Sequence, residues 1–353
     1  MLQPLSIPGV YLYAQLLPEP PFVAASHFLV ADDGNVLVDP LPFDAATHEA
    51  VAGLGGISRL VVMSADRRNA AEALAERYGA RLVDRPEHRE CIASGIIAIR
   101  LQNQRRDDEF VLSLPDRRTV VAGDSLVGAP AGALAMADTG AYANERKAAL
   151  GLRAILRENP QRLLLSHGHS LLSRAFEALY ELLYKRAGAE VLRINLDELE
   201  FLGERDERSD QPTQFACLDA EVGFAIGARK LGYRVSTLDP GQRFCPLHGH
   251  AREEELFFVI DGEPSVRTLS GTIRCRKGDF IALPVGESGT HQLLNESDAP
   301  ATVLLLARAE DVDACYYPDS DKLLLDTPSP LIKGAESIIV RASPTLDYFD
   351  GES

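Results

Sequence analysis

The fold of the C-terminal half is decided by the stretch GQRFCPLHGHAREEELFFVIDG, residues 241–262. His248 and His250 stand two residues apart, so on a β-strand both side chains project from the same face of a sheet. Glu255 can return to that face if residues 251–254 form a turn or a bulge. The stretch therefore predicts two imidazoles and one carboxylate on one side of a β-sheet.

A second stretch, GDFIALPVGESGTHQLLN at residues 278–295, supplies a third imidazole, His291. A paired antiparallel strand would bring it beside the first two. Three imidazoles and one carboxylate form a mixed nitrogen and oxygen donor set, which suits Mn, Fe, Ni, Co, Cu or Zn. Four protein ligands would leave two positions of an octahedral shell open to water, dioxygen or a small molecule. The alternative is that these histidines are scattered surface or barrel residues.

The two stretches resemble the two motifs of the cupin superfamily, and the resemblance covers about residues 213–325. One extra residue separates Gly241 from the first histidine, and two extra residues separate Gly286 from His291. Among the neighbouring carboxylates, the spacing to the following glycine favours Glu255 as the ligand, with Glu254 next. The tail CYYPDSDK, residues 315–322, resembles a signature of a bacterial cupin subgroup.

This resemblance implies a β-barrel of the jelly-roll type, with metal ligands His248, His250, Glu255 and His291. Cupins are often dimeric through strand exchange, so we expect a homodimer. The fold does not imply one reaction, because it hosts dioxygenases, isomerases, decarboxylases and binding domains. We find no side chain in the sequence that stands out as a catalytic acid or base.

The first ~185 residues alternate strand-like and helix-like segments, which indicates layered α/β structure. The predicted strands are 27–31, 35–39, 57–63, 118–122 and 162–166, and the predicted helices are 69–78, 145–158 and 171–186. The order of these segments resembles the metallo-β-lactamase fold, which implies αββα layers. Its anchors are the strand that ends in Asp39, the pair Gly123-Asp124, and Ser166-His167-Gly168.

The motif that carries the chemistry of that family is incomplete here. The family has His-x-His-x-Asp-His after the strand at 60–63, whereas this chain has Val62-Met-Ser-Ala-Asp-Arg67. We therefore expect a degenerate domain without β-lactamase-type hydrolysis. It would be kept for packing, dimerisation or partner recognition.

Asp66, Asp124 and His167 remain as a weak second metal site in that domain. Two carboxylates and one imidazole could hold a single ion, but Arg67 would place a positive charge beside it and could pair with Asp66 or Asp124. We expect His169 to be a surface residue.

Composition limits the functions available to the chain of 353 residues. Its formal net charge is −16, from 36 Lys and Arg against 52 Asp and Glu, which argues against a nucleic-acid partner. No targeting or membrane segment is evident, and the five cysteines form no CxxC pair. We expect a cytoplasmic protein that has no contact with membranes.

The length predicts two domains, which we place at residues 1–188 and 189–353. Val191 to Leu199 would be the first strand of the second domain, and 203–214 would be a loop or linker. The leading hypothesis is a metal-binding cupin protein that binds or acts on a small molecule, as a dioxygenase or an isomerase would. The alternative is a non-enzymatic sensory or interaction protein.

Overall fold

The computed structural model describes residues 1–18, 21–137, 142–204, 214–308, 312–327 and 337–345. Most of the predicted linker, 203–214, lies outside these residues. The chain divides into two compact units: Met1–Arg193 with Ala225–Gly227, and Ile194–Phe224 with Ala228–Ser353. Among the described residues, no helix is both long and apolar enough to cross a membrane.

The described part of the first unit contains two larger sheets and one strand pair. Their strands are β1 (Gln3–Pro4), β2 (Val10–Pro18), β3 (Pro21–Leu29), β4 (Val36–Val38), β5 (Arg59–Val61), β6 (Arg81–Val83), β7 (Cys91–Ala93), β8 (Ile96–Arg100), β9 (Phe110–Leu114), β10 (Thr119–Ala122), β11 (Leu126–Val127), β12 (Ala135–Met136) and β13 (Arg162–Leu165). The first sheet has the order β1-β2-β3-β4-β5-β6, and the second has β13-β10-β9-β8-β7. In the first sheet β4, β5 and β6 are parallel, and in the second β10 and β13 are parallel.

Helices α1 (Ala45–Gly53), α2 (Arg68–Tyr78), α3 (Glu145–Gly151), α4 (Arg153–Arg157) and α5 (Ala175–Ala187) complete the first unit. Asp44 caps α1 by accepting a hydrogen bond from the backbone of Thr47 at 2.7 Å. Gly79 ends α2 in the left-handed conformation, as the sequence predicted. The mixture of helices and sheets confirms the α/β character of this half.

Two apolar clusters lie on opposite faces of the first sheet. One face shares a core with the second sheet, in which Val38 and Val61 pack with Val121 and Leu164. The other face packs against the helices, through residues such as Val51 of α1 and Leu74 of α2. Burial on both faces explains why β4 is a continuous apolar run and why Leu60 and Val61 of β5 are both apolar.

Two predicted helices differ from the structure. The predicted helix 145–158 is divided after Gly151, where a Cβ atom would lie 2.0 Å from the carbonyl oxygen of Gln102. The predicted helix 171–186 begins only at Ala175. Leu171 instead exchanges two backbone hydrogen bonds with Leu163, and Arg174 adopts a φ of 55°. At Leu171 a tertiary contact thus overrides the helical pattern, whereas at Gly151 the close backbone approach requires a residue without a side chain.

The second unit is built of β-strands in its described part, with short 3₁₀ turns and no α-helix. Its strands are β14 (Leu202–Glu204), β15 (Cys217–Glu221), β16 (Leu231–Leu238), β17 (Gly249–His250), β18 (Glu255–Asp261), β19 (Ser265–Thr268), β20 (Gly271–Arg274), β21 (Phe280–Leu283), β22 (His291–Leu294), β23 (Ala301–Arg308), β24 (Asp313–Tyr317), β25 (Lys322–Asp326) and β26 (Ser337–Arg341). They form sheets with the orders β14-β15-β16-β23-β18-β21, β17-β24-β25-β26 and β20-β19-β22. Phe257 and Val303 of the first of these sheets share a core with Val266 and Leu293 of the third.

The predicted strand from Val191 to Leu199 is wrong. The structure has 3₁₀ turns at Gly188–Leu192 and Leu196–Glu198 instead. Asn195 and Glu198 form a reciprocal capping box around the second turn, so local side-chain hydrogen bonds compete with an extended backbone there.

One buried side chain of the first unit is unusual. His27 lies on β3 between Leu12 and Val38 of the neighbouring strands, and it is completely buried. Neither ring nitrogen has a hydrogen-bond partner among the described residues. Burial in this apolar position lowers the pKa of His27 from 6.5 to about 4. The imidazole is therefore neutral in the folded protein at neutral pH.

This lowered pKa predicts a pH-dependent loss of stability. Between about pH 6.5 and pH 4 the unfolded chain binds a proton that the folded chain excludes, so stability falls as the pH falls through this window. We expect His27→Leu to remove about 2 kcal/mol of the stability difference between pH 7.5 and pH 5. Urea unfolding at the two pH values measures this difference. The exposed His88→Leu is the control, and an unchanged pH dependence in His27→Leu would contradict the expectation.

Candidate functional site

The histidines of the second unit are brought together by one backbone bridge. The N–H of His248 donates to the carbonyl oxygen of His291 at 3.1 Å, and the N–H of His291 donates to that of His248 at 2.8 Å. Strand β17 continues from this bridge and pairs with β24, where His250 lies opposite Cys315. Glu255 stands at the beginning of β18. The two sequence motifs therefore meet edge to edge, as an antiparallel pairing predicts.

Two glycines permit this close approach. A Cβ atom on Gly249, between the two histidines, would lie 2.6 Å from the Oγ1 atom of Thr290. A Cβ atom on Gly289 would lie only 1.6 Å from the carbonyl oxygen of Pro284. No side chain fits at such a separation, so the backbone packing itself demands glycine at 289.

The Nε2 atoms of the histidines point toward one another and toward Glu255. The Nε2 atoms of His248 and His250 lie 3.0 Å apart. The Oε2 atom of Glu255 lies 3.4 Å from the Nε2 atom of His250 and 3.1 Å from that of His291. His248, His250 and Glu255 each offer a ligand atom within 4.8 Å of the others. The structure thus gathers all four residues that the sequence singled out.

On the opposite side of each ring, the Nδ1 atom faces an oxygen acceptor. The carbonyl oxygen of Pro246 lies 3.0 Å from His248 Nδ1, and that of Gly289 lies 2.8 Å from His291 Nδ1. The Oδ2 atom of Asp313 lies 2.6 Å from His250 Nδ1. Because these acceptors carry no proton of their own, each one holds a proton on its Nδ1 atom, so that a neutral ring presents its Nε2 lone pair to the cluster.

Electrostatics within the cluster move three pKa values. Burial and the neighbouring His291 and His250 lower the pKa of His248 to about 4. Burial also opposes charge on His250, but contacts with Cys315, Glu255 and Asp313 outweigh it and raise its pKa to about 11. Burial alone would raise the pKa of Glu255, whereas His250 and His291 hold it well below its usual range. Glu255 is therefore a carboxylate, the form that binds cations.

The donor set fits a divalent transition metal. The Oε2 atom of Glu255 is buried and has no hydrogen-bond partner among the described residues, although it lies beside two imidazoles. Lone pairs that converge at about 3 Å repel one another unless a proton or a cation lies between them. The alternative carboxylate Glu254 is exposed, so Glu255 is the better candidate.

Other side chains enclose the cluster. The ring of Tyr317 stacks on His248 with the ring centres 5.7 Å apart, whereas Tyr316 is exposed. The Sγ atom of Cys245 lies 3.5 Å from His248 Nδ1, on the far side of the ring from the other imidazoles. Cys245 is thus not placed as a fifth ligand.

A cavity of about 770 Å³ lies in the same unit. Its lining includes Thr268 and Leu283, which stand directly opposite His291 and Glu255 in the strand pairing. The remaining lining residues are Val266, Leu269, Ser270, Ile273, Ile281, Ala282, Glu287, Ser288 and Thr290. The lining residues therefore include strand neighbours of His291 and Glu255, and they combine apolar side chains with hydroxyl groups.

The candidate site of the first unit lies where strands β4, β5, β10 and β13 end. Asp39 is buried after β4, and its carboxylate accepts hydrogen bonds from the backbones of Met63 and Ser64 at 2.7 and 2.9 Å. The Oγ atom of Ser64 lies 2.8 Å from Asp39 Oδ2 and 3.2 Å from His167 Nε2, and the Oδ1 atom of Asp124 lies 3.0 Å from that same nitrogen. Ser64, which replaces a family histidine, thus joins this network.

Asp66, Asp124 and His167 do come together, with ligand atoms within 4.8 Å of one another. Two arginines also reach the same place. Arg106 Nη1 lies 3.4 Å from Asp124 Oδ2, and Arg105 Nη2 lies 3.7 Å from that oxygen and donates to the Asp124 backbone carbonyl at 2.8 Å. Their positive charge opposes a bound cation.

The sequence predicted that Arg67 could pair with Asp66 or Asp124. In the structure it pairs with Asp66 at 3.4 Å. His169 is exposed, and it belongs to no group of candidate ligands among the described residues. Arg105 and Arg106 were missed because nothing in their spacing relates them to Asp124. Asp313 was also missed, although it stands two residues before Cys315 and so shares a strand face with it.

Comparisons with known proteins give a different family model for each half of the chain. Residues 2–185 match the family model of the metallo-beta-lactamase superfamily, and residues 234–307 match that of the cupin domain. A search of curated proteins found no significant match.

Similar solved structures cover one half of the chain each. A putative sugar phosphate isomerase from Acidithiobacillus ferrooxidans is 18% identical over 45% of this chain and 97% of that one, with a TM-score of 0.40. A sugar phosphate isomerase of the cupin superfamily from Silicibacter pomeroyi is 24% identical over 45% and 98%, with a TM-score of 0.36. A metallo beta lactamase from Erythrobacter litoralis is 15% identical over 52% and 89%, with a TM-score of 0.38.

The arginines beside Asp124 lead to a prediction for the first unit. We expect Asp124→Asn to leave the metal content per chain unchanged, because guanidinium groups already balance this carboxylate. The same change should lower the melting temperature, since Arg105 and Arg106 lose a partly buried counter-charge. Elemental analysis and thermal unfolding measure the two effects. Loss of one ion per chain would show instead that this site binds metal.

Proposed function

Because the chain belongs to the metallo-beta-lactamase superfamily and also carries a cupin domain, we propose that this cupin domain is a metal centre that binds a small molecule. Its ligands are His248, His250, Glu255 and His291. The observation that carries the proposal is the orientation of the three imidazoles. Their Nδ1 atoms face oxygen acceptors, the Nε2 atoms of His250 and His291 face Glu255, and the Nε2 atom of His248 faces that of His250.

A divalent ion held there would act as a Lewis acid and accept oxygen atoms of the small molecule as ligands. The protein's own contribution is to hold the ligands ready. The carbonyl groups of Pro246 and Gly289 and the carboxylate of Asp313 keep a proton on each Nδ1 atom, so that each Nε2 atom is available. The ion would be Mn, Fe, Ni, Co, Cu or Zn, since nitrogen and oxygen donors suit all of these.

In this proposal the first unit is a degenerate member of its superfamily. Ser64, Arg105 and Arg106 stand around Asp124 and His167, and no imidazole besides His167 is among the described groups of candidate ligands there. Hydrolysis of the β-lactamase type needs a metal-activated water, which this arrangement does not favour. A role in packing or partner recognition fits better.

The packing also supports a more detailed description of the fold of each unit. We infer αββα layers in the first unit, because one face of its first sheet packs on the second sheet and the other face packs on helices. We infer a jelly-roll barrel in the second unit, since two of its sheets enclose one core. The homodimer that the cupin resemblance implies stays a prediction, as does a cytoplasmic location.

Metal content tests the proposed centre. Protein purified without added metal should carry about one divalent ion per chain, and His248→Ala combined with His250→Ala should carry almost none, since two of the four ligands are lost. Elemental analysis measures the content, and circular dichroism checks that the variant is folded. His88→Ala removes an exposed imidazole of the first unit and is the matched control. Equal metal in the double variant and the wild type would refute the centre.

A second candidate is catalysis at the same centre, as in a dioxygenase or an isomerase. The cavity lined by strand neighbours of His291 and Glu255 supports it, because about 770 Å³ is enough for a small substrate. For a dioxygenase we expect oxygen uptake with some member of a panel of diketones and phenolics, and loss of this uptake in the double histidine variant. Binding of a panel member without oxygen uptake or chemical change would identify a binding module.

A further inference from the structure

We propose that Asp313 is a positioning residue that fixes the protonation tautomer of His250 and thereby makes it a metal ligand. This inference rests on the proposed metal centre and adds a residue to it. Asp313 lies on β24, outside residues 234–307 that match the cupin domain. It is 5% exposed, so water does not compete strongly for its carboxylate.

The carboxylate of Asp313 is held at both oxygens. Its Oδ1 atom accepts a hydrogen bond from the backbone N–H of Arg252 at 2.8 Å, and its Oδ2 atom lies 2.6 Å from His250 Nδ1. The backbone N–H of Arg252 cannot change its role as a donor. Oδ2 is therefore the oxygen left for the imidazole, and it can only accept. The proton of a neutral His250 must then lie on Nδ1, which leaves the Nε2 lone pair for a cation.

Cys315 does not disturb this assignment. Its Sγ atom lies 3.2 Å from His250 Nδ1, but its thiol donates to Asp313 Oδ2 at 3.4 Å and so supports the same carboxylate. Cys315 also stands opposite His250 in the pairing of β17 with β24. It contacts the same ring as Asp313, so it belongs to the surroundings of His250 and is not a neutral control.

Asp313 differs from the other two groups that orient the histidines. His248 and His291 face the backbone carbonyls of Pro246 and Gly289, which no substitution converts into donors. The acceptor beside His250 is a side chain, so its hydrogen-bonding character can be reversed by one substitution. Tautomer control can therefore be tested at this ring.

The test compares the Zn²⁺ affinities of two variants. Which of the two binds more weakly distinguishes tautomer control from a purely structural role. In Asp313→Asn the amide oxygen should keep the bond from the backbone of Arg252, which turns the NH₂ group toward His250. That group can only donate, so the proton of His250 moves to Nε2 and blocks the ligand atom. Asp313→Ala removes the acceptor but imposes no tautomer. We expect about 100-fold weaker Zn²⁺ binding in Asp313→Asn and about tenfold weaker binding in Asp313→Ala.

Zn²⁺ affinity is measured by competition with a chromophoric chelator at pH 7. The control is Asp319→Asn, which makes the same chemical change at an exposed carboxylate that pairs with Arg267, and it should stay within about threefold of the wild type. Circular dichroism confirms that each variant is folded. A merely structural role predicts the opposite order, because the near-isosteric Asn would disturb packing less than Ala. Binding in Asp313→Asn as tight as in Asp313→Ala would therefore overturn the proposal.

A second measurement does not depend on metal. Long-range ¹H–¹⁵N spectra of histidine-labelled protein, recorded without added metal across the deprotonation of His250, report which ring nitrogen keeps the proton. We expect the wild type to place the proton of His250 on Nδ1 and Asp313→Asn to place it on Nε2. The same tautomer in both would refute the role of Asp313. Wild-type protein that binds no Zn²⁺ would instead refute the metal centre, with the tautomer result unaffected.

Discussion

Two backbone hydrogen bonds between His248 and His291 are the constraint on which the second unit's site depends. They join two stretches of chain that are far apart in sequence and set the direction of both imidazoles at once. Glycines on either side keep the backbones close enough for these bonds, and β24 pairs with the strand that continues from them. The geometry of the site therefore follows from strand pairing, which sets the directions of the histidine side chains.

This dependence explains what could be predicted from the sequence. Strand periodicity placed His248 and His250 on one face, and an antiparallel pairing sufficed to bring His291 beside them. Asp313 was beyond such reasoning because it lies 63 residues from His250 and reaches it through a sheet whose strand order the sequence does not reveal. In the first unit, apolar runs predicted the strands that end before Asp124 and His167, and the resemblance to the metallo-β-lactamase fold singled out these two residues. Arg105 and Arg106 were not predicted, since they lie in the loop between β8 and β9.

The failures in secondary structure have a related cause. The segment after residue 171 has an apolar spacing typical of a helix, yet Leu171 bonds to Leu163 across a strand edge and Arg174 takes a positive φ before the helix starts. A local pattern cannot report a bond to a residue on another strand. Nor can a local pattern report the carbonyl group of Gln102, which leaves no room for a Cβ atom at Gly151.

The carbonyl oxygen of Pro284, which lies against Gly289, also restricts which amino acids evolution can place at this position. Glu287 and Ser288 are exposed, so other side chains fit there without a backbone shift, whereas any other amino acid at 289 would require the backbone of two segments to move together. Homologous chains should therefore differ in the composition of this turn, but the glycine before the Thr290-His291 pair should persist. Variation in the turn's length should accordingly occur ahead of that glycine, where the backbone meets no such obstacle.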